Sequence, residues 1–576
     1  MEWCIPVAPD ENPLTSGILI PMNSTLHNAI DDACRELFEC EANVELTRPD
    51  EQFGDYATNV ALQLAKPLGK NPREVAEALA VKLRETLSSN VSEISVAGPG
   101  FINLKLTDTA LLIDLNRIPA QSLAGQTIVA EYSDPNPFKV LHAGHLYTSV
   151  VGDAIGNLLQ LAGGDVHRVN FGGDVGLHVG KTMWAIIDEF GGELPEKLAG
   201  IVELERSEWM AAAYVRGTAA YEEDETAKAA IVALNKRVYA LHSEADHESP
   251  FARLYWTCRQ WSYDYFDTFY ARIGTPFEKY YPESQTAPIG LQTVKSHIGD
   301  VYEESDGAII FDGDKHGLHT RVFINSEGLP TYEAKDVGLI MLKKKDYDFD
   351  RSVIITGNEQ LQYMSVVLKS IEQFAPELSS ATTHLTHGLV KLQGGVKMSS
   401  RQGNFLKATD VLDIAAAANQ EANGQDNQQT VLGAVKYAFL KSRMGGDIIY
   451  DPKESVSLEG NSGPYLQYAH ARAQSILRKA DGVGSLEGAQ LEAGERSLVR
   501  KLSEYTEVVD RAVAELMPHY VCTYLYELAQ TFNRFYEHNR VIDDPRQDVR
   551  LGIISKYAST LHDGLAILGI HAPDTM

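Results

Sequence analysis

The stretch that most restricts the fold lies between residues 126 and 172. An apolar run, QTIVAEYS, leads into the proline-bearing loop DPNPFKVLHAGH, then into LYTSVVGDAIGNLLQLAGG and a second apolar run, DVHRVNF. In the middle segment Leu146, Val150, Ala154 and Leu158 fall on one helical face, and Gly163-Gly164 ends it. Strand, helix and strand in about 45 residues form a βαβ unit. Two parallel strands joined this way need both faces of their sheet covered, so the spacing predicts a doubly wound α/β domain.

The rest of the chain is arranged around that unit. Residues 1–22 show no sustained period and read as a flexible extension, or as a segment preceding an authentic start at Met22. Two amphipathic helical stretches, at 24–40 and 72–87, and the alternating text SEISVAGPGFINLKLTD give a small α+β domain over 23–115. The doubly wound domain spans 116–430, with a charged helical insertion at about 185–285, and strand text returns at GAIIFD, HTRVFIN and SVIITGN. From 431 to 576 the sequence reads as helix almost throughout, which predicts an all-α bundle.

Composition excludes several classes. With 44% hydrophobic and 23% charged residues the chain has ample core material, and its 576 residues suit several domains. No run approaches the ~18 apolar residues of a membrane span, and the opening is neither a signal nor a transit peptide, so a cytoplasmic protein without a membrane partner is expected. Five cysteines without a close CxxC pair argue against a disulfide framework and against structural zinc. The net charge of −28 argues mildly against a nucleic-acid partner, although a local basic track can coexist with it.

Two short segments carry the chemistry. His142-Ala143-Gly144-His145 stands where the first strand turns into its helix; two histidines three apart at a helix N-terminus suit phosphate, and the glycine admits a bulky ligand. Alone, the tetrapeptide is equally read as one capping and one packed histidine. Lys397-Met398-Ser399-Ser400-Arg401-Gln402-Gly403-Asn404 is a polar, glycine-flanked loop able to bring a lysine and an arginine onto a pyrophosphate. Alone, it is a solvated turn.

Together, HAGH and KMSSRQGN resemble the two signatures of class I aminoacyl-tRNA synthetases, and the surrounding text resembles the arginyl-tRNA synthetase family. FGDYATNVALQLAK and AGPGFINLKL are similar to its N-terminal tRNA-contacting domain, EYSDPNPFKVLHAGHL and NFGGDVGLHVG to its nucleotide-binding core, and LPTYEAKDVGL to its amino-acid pocket. GPYLQYAHARAQSILRK and FNRFYE are similar to its anticodon-binding helices. The resemblance implies an arginine-tRNA ligase that forms arginyl-adenylate from ATP and transfers it to tRNA(Arg), with Mg2+ held mainly by ATP, no zinc and a monomeric state.

By that resemblance the arginine pocket draws on Glu131, Asp134, Pro135, Asn136, His145, Tyr332, Asp336 and Gln360. ATP meets His142, Gly144, His145, Lys397, Met398, Ser399 and Ser400, and catalysis falls to His142, His145, Lys139, Lys397 and Arg401. The tRNA meets Phe101 and Asn103, Tyr465, Tyr468 and Arg472, and Phe532, Arg534 and Tyr536; the aromatic residues of the C-terminal helices are equally suited to core packing. His470 and Phe535 belong to the same aromatic and basic groups.

Three positions depart from the family pattern. Ser400 stands where most class I enzymes have lysine, and Lys139 resembles the lysine that accompanies this loss. Asp134 replaces the usual Ser, either adding charge near the substrate ammonium or bonding the loop backbone. Tyr147 replaces the usual Arg and reads as a helix-surface change. A synthetase-like regulator without catalysis, or a nucleotidyltransferase acting on another small acid, would share HAGH. The first would not keep both histidines with the whole pocket, and the second has no use for the C-terminal helices.

Overall fold

The computed structural model describes residues 22–393, 406–424, 427–480 and 484–576. The chain forms two compact units, one containing 22–118, 484–506 and 531–554, the other 119–480, 507–530 and 555–576. This grouping differs from the boundaries read in the sequence, because two stretches of the C-terminal region cluster with the N-terminal residues.

In the first unit, helices α1 (Met22–Phe38), α2 (Val60–Leu68), α3 (Pro72–Thr86) and α4 (Asp108–Asp114) accompany strands β1 (Leu46–Thr47), β2 (Tyr56–Thr58), β3 (Val91–Ala97) and β4 (Phe101–Leu106). The strands form an antiparallel sheet in the order β1-β2-β4-β3. Leu26, Ile30, Leu79, Leu83, Ile102 and Leu104 are fully buried, as expected of helix stripes laid on a sheet. Asp55, also fully buried, explains why 484–506 belongs here: it accepts the Leu106 N–H at 2.7 Å and an Arg496 guanidinium N–H at 2.7 Å. A buried carboxylate without that partner would be costly.

The second unit is built on a five-stranded sheet of β5 (Thr127–Glu131), β6 (Asp165–Gly172), β7 (Lys279–Pro282), β11 (Arg351–Gly357) and β12 (Thr382–His387). Their order is β12-β11-β5-β6-β7 and every pair is parallel. The chain winds outward from β5 to β7, then returns to the far side of β5 for β11 and β12, so the topological switch point lies beside β5. Ligands of such sheets bind there, at the carboxyl ends of the strands. Between β7 and β11, β8 (Glu303–Ser305), β9 (Ala308–Phe311) and β10 (Arg321–Ile324) make a separate antiparallel sheet.

The covering helices are α5 (Ala143–Leu161), α6 (Leu177–Phe190), α7 (Arg206–Glu223), α8 (Glu225–Glu244), α9 (Pro250–Ile273), α10 (Glu283–Ser296), α11 (Tyr332–Tyr347), α12 (Leu361–Glu372) and the short α13 (Pro376–Ser380). Helices α6 to α9 form the insertion with their own core around Val179, Met183, Phe251, Tyr255 and Cys258. Its far boundary at 285 was set too late: β7 falls inside it yet belongs to the parallel sheet. Beyond come α14 (Ala408–Asn423), α15 (Gln428–Leu440), the short α16 (Pro452–Ser455), α17 (Gly463–Lys479) and, among the described residues, four more helices, Ala493–Ser503, Tyr505–Glu515, His519–His538 and Gln547–Ile567. The region from 431 is not all helix, since β14 (Ile448–Tyr450) pairs in parallel with β13 (Val390–Leu392). Three residues of Ile-Ile-Tyr are too few to register as a period.

Candidate active site

The HAGH loop is set by hydrogen bonds that use both histidines. His142 is the N-cap of α5, and its Nδ1 accepts the Gly144 N–H at 3.1 Å while His145 Nδ1 accepts the His142 N–H at 3.1 Å. Two otherwise unpaired helix N–H groups are thereby satisfied. The rings stack with centroids 3.8 Å apart. With both Nδ1 atoms accepting, each neutral ring carries its proton on Nε2 and presents a donor. Burial, then the neighbouring Lys139 ammonium and His387, push His142 down to about 4. Burial and His142 hold His145 well below the ordinary histidine value.

A Cβ at Gly144 would come within 2.8 Å of the His142 ring, so the glycine makes room for that ring. Gly152, two turns on, lets α5 lie against Tyr132, whose ring a Cβ would meet at 2.1 Å. The segment after the second signature is tied to the loop: the Ala143 N–H donates to Leu406 C=O at 2.8 Å and the Ala408 N–H to Leu141 C=O at 3.0 Å. Lys397, Met398, Ser399, Ser400 and Arg401 themselves lie outside the described residues.

At the switch point the residues expected to hold arginine bring carboxylates together. Glu131 ends β5, 2% exposed, and pairs with the Lys343 ammonium of α11, which is 0% exposed and also donates to Ser352 Oγ at 3.1 Å. Asp336, two turns earlier on the same face of α11, is buried and accepts from the Tyr363 hydroxyl. Burial raises the Asp336 carboxyl well above the usual range, and Glu131, Glu283 and Asp134 add to it against Lys343. Asp134 is raised likewise, by burial and then Glu131. It follows Ser133 in a loop where both residues are left-handed, at φ 50° and 77°, a conformation Asp tolerates better than most. Its Oδ1 accepts the Phe171 N–H of β6 at 2.9 Å, which ties the loop to the sheet rather than to its own backbone. Pro135 is buried beside it.

Asn136 Oδ1 accepts the Gly173 N–H at 2.8 Å, which fixes its amide at the end of β6. Tyr332 and Gln360 are exposed, Tyr332 at the first turn of α11 and Gln360 as the N-cap of α12. Glu283 opens α10 at the end of β7 and pairs with Lys335 at 2.5 Å, both buried. Lys343, Tyr363, Glu283 and Lys335 were not singled out from the sequence. Only a helical projection of α11 would have hinted at them, placing Asp336 and Lys343 on one stripe. Tyr147 is no surface residue: it is 1% exposed, its ring 4.5 Å from His387 and 5.4 Å from Phe439.

Of the residues expected to meet tRNA, Phe101 is exposed and Asn103 buried in β4. Tyr468 and Arg534 are exposed, and Tyr465, Arg472 and Tyr536 are half-buried. Phe532, at 0% exposure, and Phe535, at 3%, belong to the helix core, and Phe532 is withdrawn as a base-stacking residue. His470 is likewise buried, bonded to Pro573 C=O at 2.9 Å. No described helix is long and apolar enough to cross a membrane.

The model of the class I tRNA synthetase (R) catalytic domain matches residues 107–451, more than half of the chain. The chain belongs to the arginyl-tRNA synthetase family. The arginyl tRNA synthetase N-terminal domain model matches residues 22–106, and the DALR anticodon binding domain model matches 466–576. An arginine-tRNA ligase of Porphyromonas gingivalis is 28% identical over 598 residues, covering 96% of this chain and 99% of that protein. One of Phocaeicola vulgatus is 28% identical over 583 residues, covering 92% and 96%. The solved Thermus thermophilus arginyl-tRNA synthetase superposes with a TM-score of 0.78 at 25% identity, covering 96% of this chain and all of that one.

Proposed function

We propose that this chain is an arginine-tRNA ligase that activates L-arginine with ATP and transfers it to the terminal adenosine of tRNA(Arg). The observation that carries the reading is the cluster of buried carboxylates at the switch point, beside two neutral histidines that offer Nε2 donors. A guanidinium seeks such carboxylates because its fork of N–H donors matches their oxygens. Glu131 and Asp336 take the guanidinium, with Tyr332 and Gln360 at the mouth. Asn136 and the Asp134 loop face the amino-acid end.

The substrate carboxylate oxygen attacks the α-phosphorus of ATP, and the bond to the β-phosphate oxygen breaks as pyrophosphate leaves. A ribose hydroxyl of the terminal adenosine, the 2′-OH on this reading, then attacks the adenylate carbonyl; it loses its proton, and AMP departs. No protein nucleophile is needed, so the residues act by alignment and by donors placed where charge develops. His142 and His145 donate to phosphate oxygens, Lys139 meets the α-phosphate, and Lys397 with Arg401 receives the pyrophosphate. Magnesium, bound with ATP, screens the triphosphate. The ion would be held mainly by ATP oxygens, because Mg2+ seldom has an all-protein cage.

Phe101, Tyr468, Arg472 and Arg534 are the residues through which tRNA binding is read, with the enzyme acting as a monomer in the cytoplasm. Arginine-dependent ATP–pyrophosphate exchange, measured with and without tRNA(Arg), tests the proposal. Exchange with arginine but not with lysine or citrulline is expected. Its absence in the presence of tRNA, or equal exchange with another amino acid, overturns it.

A further inference from the structure

The loop that carries Lys139 is tied to the end of β6 through Asp134 and Asn136 and, further along, to the helical insertion. Phe138 is fully buried at φ 67°; its N–H donates to Ser262 Oγ of α9 at 2.9 Å, and its ring stacks on Tyr255 at 5.6 Å. The next residue, Lys139, is half-buried, and among the described residues no carboxylate lies within ion-pair distance of it. Its ammonium sits instead over the Tyr214 ring of α7, 4.6 Å from the centroid. The same ammonium stands close enough to His142, His145 and His178 to depress all three.

A lysine stem with four rotatable bonds has little reason to hold one position in a half-open site. A carboxylate partner would hold it but would neutralise the charge. A ring face attracts the ammonium through its quadrupole while leaving the formal charge intact, and it is readily exchanged for a stronger anion.

We infer that Tyr214, on insertion helix α7, is a positioning residue that holds the Lys139 ammonium beside the HAGH histidines, so that the insertion takes part in adenylate formation. The inference rests on the proposed contact of Lys139 with the α-phosphate. It assigns the insertion a function in the chemistry that is separate from any contact with tRNA.

The test is the exchange reaction with four variants, Tyr214→Ala, Tyr214→Phe, Lys139→Ala and the Tyr214→Ala/Lys139→Ala pair, at saturating tRNA. Tyr214→Ala should lower kcat by roughly fivefold to thirtyfold, the factor matching a partly desolvated cation–π contact, with KM for arginine unchanged. Tyr214→Phe keeps the ring face and should run near the parent rate. In the Lys139→Ala background the Tyr214→Ala change should cost nothing further. A slow Lys139→Ala with Tyr214→Ala at the parent rate overturns the inference and leaves the role of Lys139 intact. Equal losses from Tyr214→Ala in both backgrounds overturn it too, because the ring would then act on the fold. Lys139→Ala at the parent rate removes the α-phosphate contact, and the inference with it.

Discussion

Lys343 is the sharpest place to perturb the pocket, because it touches stability and recognition through one bond. Its ammonium is fully buried, pairs with Glu131 and donates to Ser352, so Lys343→Met leaves a buried carboxylate without its counter-charge. Breaking a buried pair from one side costs about 3 to 5 kcal/mol, most of it the penalty on the ion left behind. At roughly 2 to 4 °C per kcal/mol for a domain of this class, the thermal midpoint of the catalytic domain should fall by about 6 to 20 °C. Adding Glu131→Gln removes the stranded charge, so the double variant should regain more than half of that loss. It should not regain arginine binding, since Gln keeps an oxygen acceptor but lacks the carboxylate charge that pairs with a guanidinium. Circular dichroism melts and isothermal titration with arginine separate the two effects. A Lys343→Met enzyme melting at the parent temperature would refute the argument for the pair. A double variant binding arginine at parent affinity would refute the place given to Glu131.

Asp336→Asn keeps the shape but loses a charge-assisted acceptor, and should weaken arginine by about 2 to 4 kcal/mol while leaving KM for ATP unchanged; a rise confined to ATP would refute it. The raised carboxyl of Asp336, facing Glu131, Glu283, Asp134 and Lys343, holds a proton more tightly in the empty pocket than beside a guanidinium. Arginine binding should therefore release protons and strengthen as pH rises, which calorimetry in two buffers of different ionisation enthalpy measures; net uptake would reverse the reasoning. Tyr147→Arg, which restores the common family residue, should destabilise by several kcal/mol by placing a guanidinium against His387 and Phe439, and an unchanged melting curve would contradict that. Phe532→Ala should cost about 3 to 5 kcal/mol of stability as a core cavity, whereas Arg534→Ala should leave stability alone and lower the salt slope of tRNA binding by about one.

The sequence exposed the parts of the site whose residues are contiguous. The strand-HAGH-helix junction was legible because a change from short apolar run to helical period marks a strand end, and the histidines stand on that mark. The partners of those residues were not. Lys343 begins a run of three lysines, which in one dimension reads as a solvated face; only α11 packing over β5 turns the first of them inward while Lys344 meets Asp348 outside. Tyr214 sits in charged helical text that gave a helix but no destination for its rings. Phe532 and Arg534 are two apart on one helix and differ in exposure, a difference that the resemblance of FNRFYE to the family's anticodon-binding helices does not carry. Tyr147 was misplaced for the same reason, since the buried surface of α5 is wider than the single stripe that periodicity traced.

The charge arrangement explains how an acidic pocket can be both stable and selective. Glu131, Asp134, Asp336 and Glu283 contribute four carboxylates, and Lys343 and Lys335 pair with Glu131 and Glu283. Among the described residues Asp134 and Asp336 have no cation within ion-pair distance, and burial together with their like-charged neighbours raises both carboxyls; burial raises Glu283 as well, against its partner Lys335. On the proposed reading the guanidinium meets Glu131 and Asp336, the α-ammonium lies towards the Asp134 loop, and the carboxylate is left to the histidine donors and Lys139. Citrulline has nearly the same shape but only one cation, and it would leave one buried carboxyl to stay protonated or unpaired. The empty pocket discharges its own repulsion by binding protons. A doubly cationic amino acid replaces those protons, which on the proposed reading disfavours citrulline, whereas discrimination against lysine, also doubly cationic, would rest on the planar fork of N–H donors that only a guanidinium offers to carboxylate oxygens.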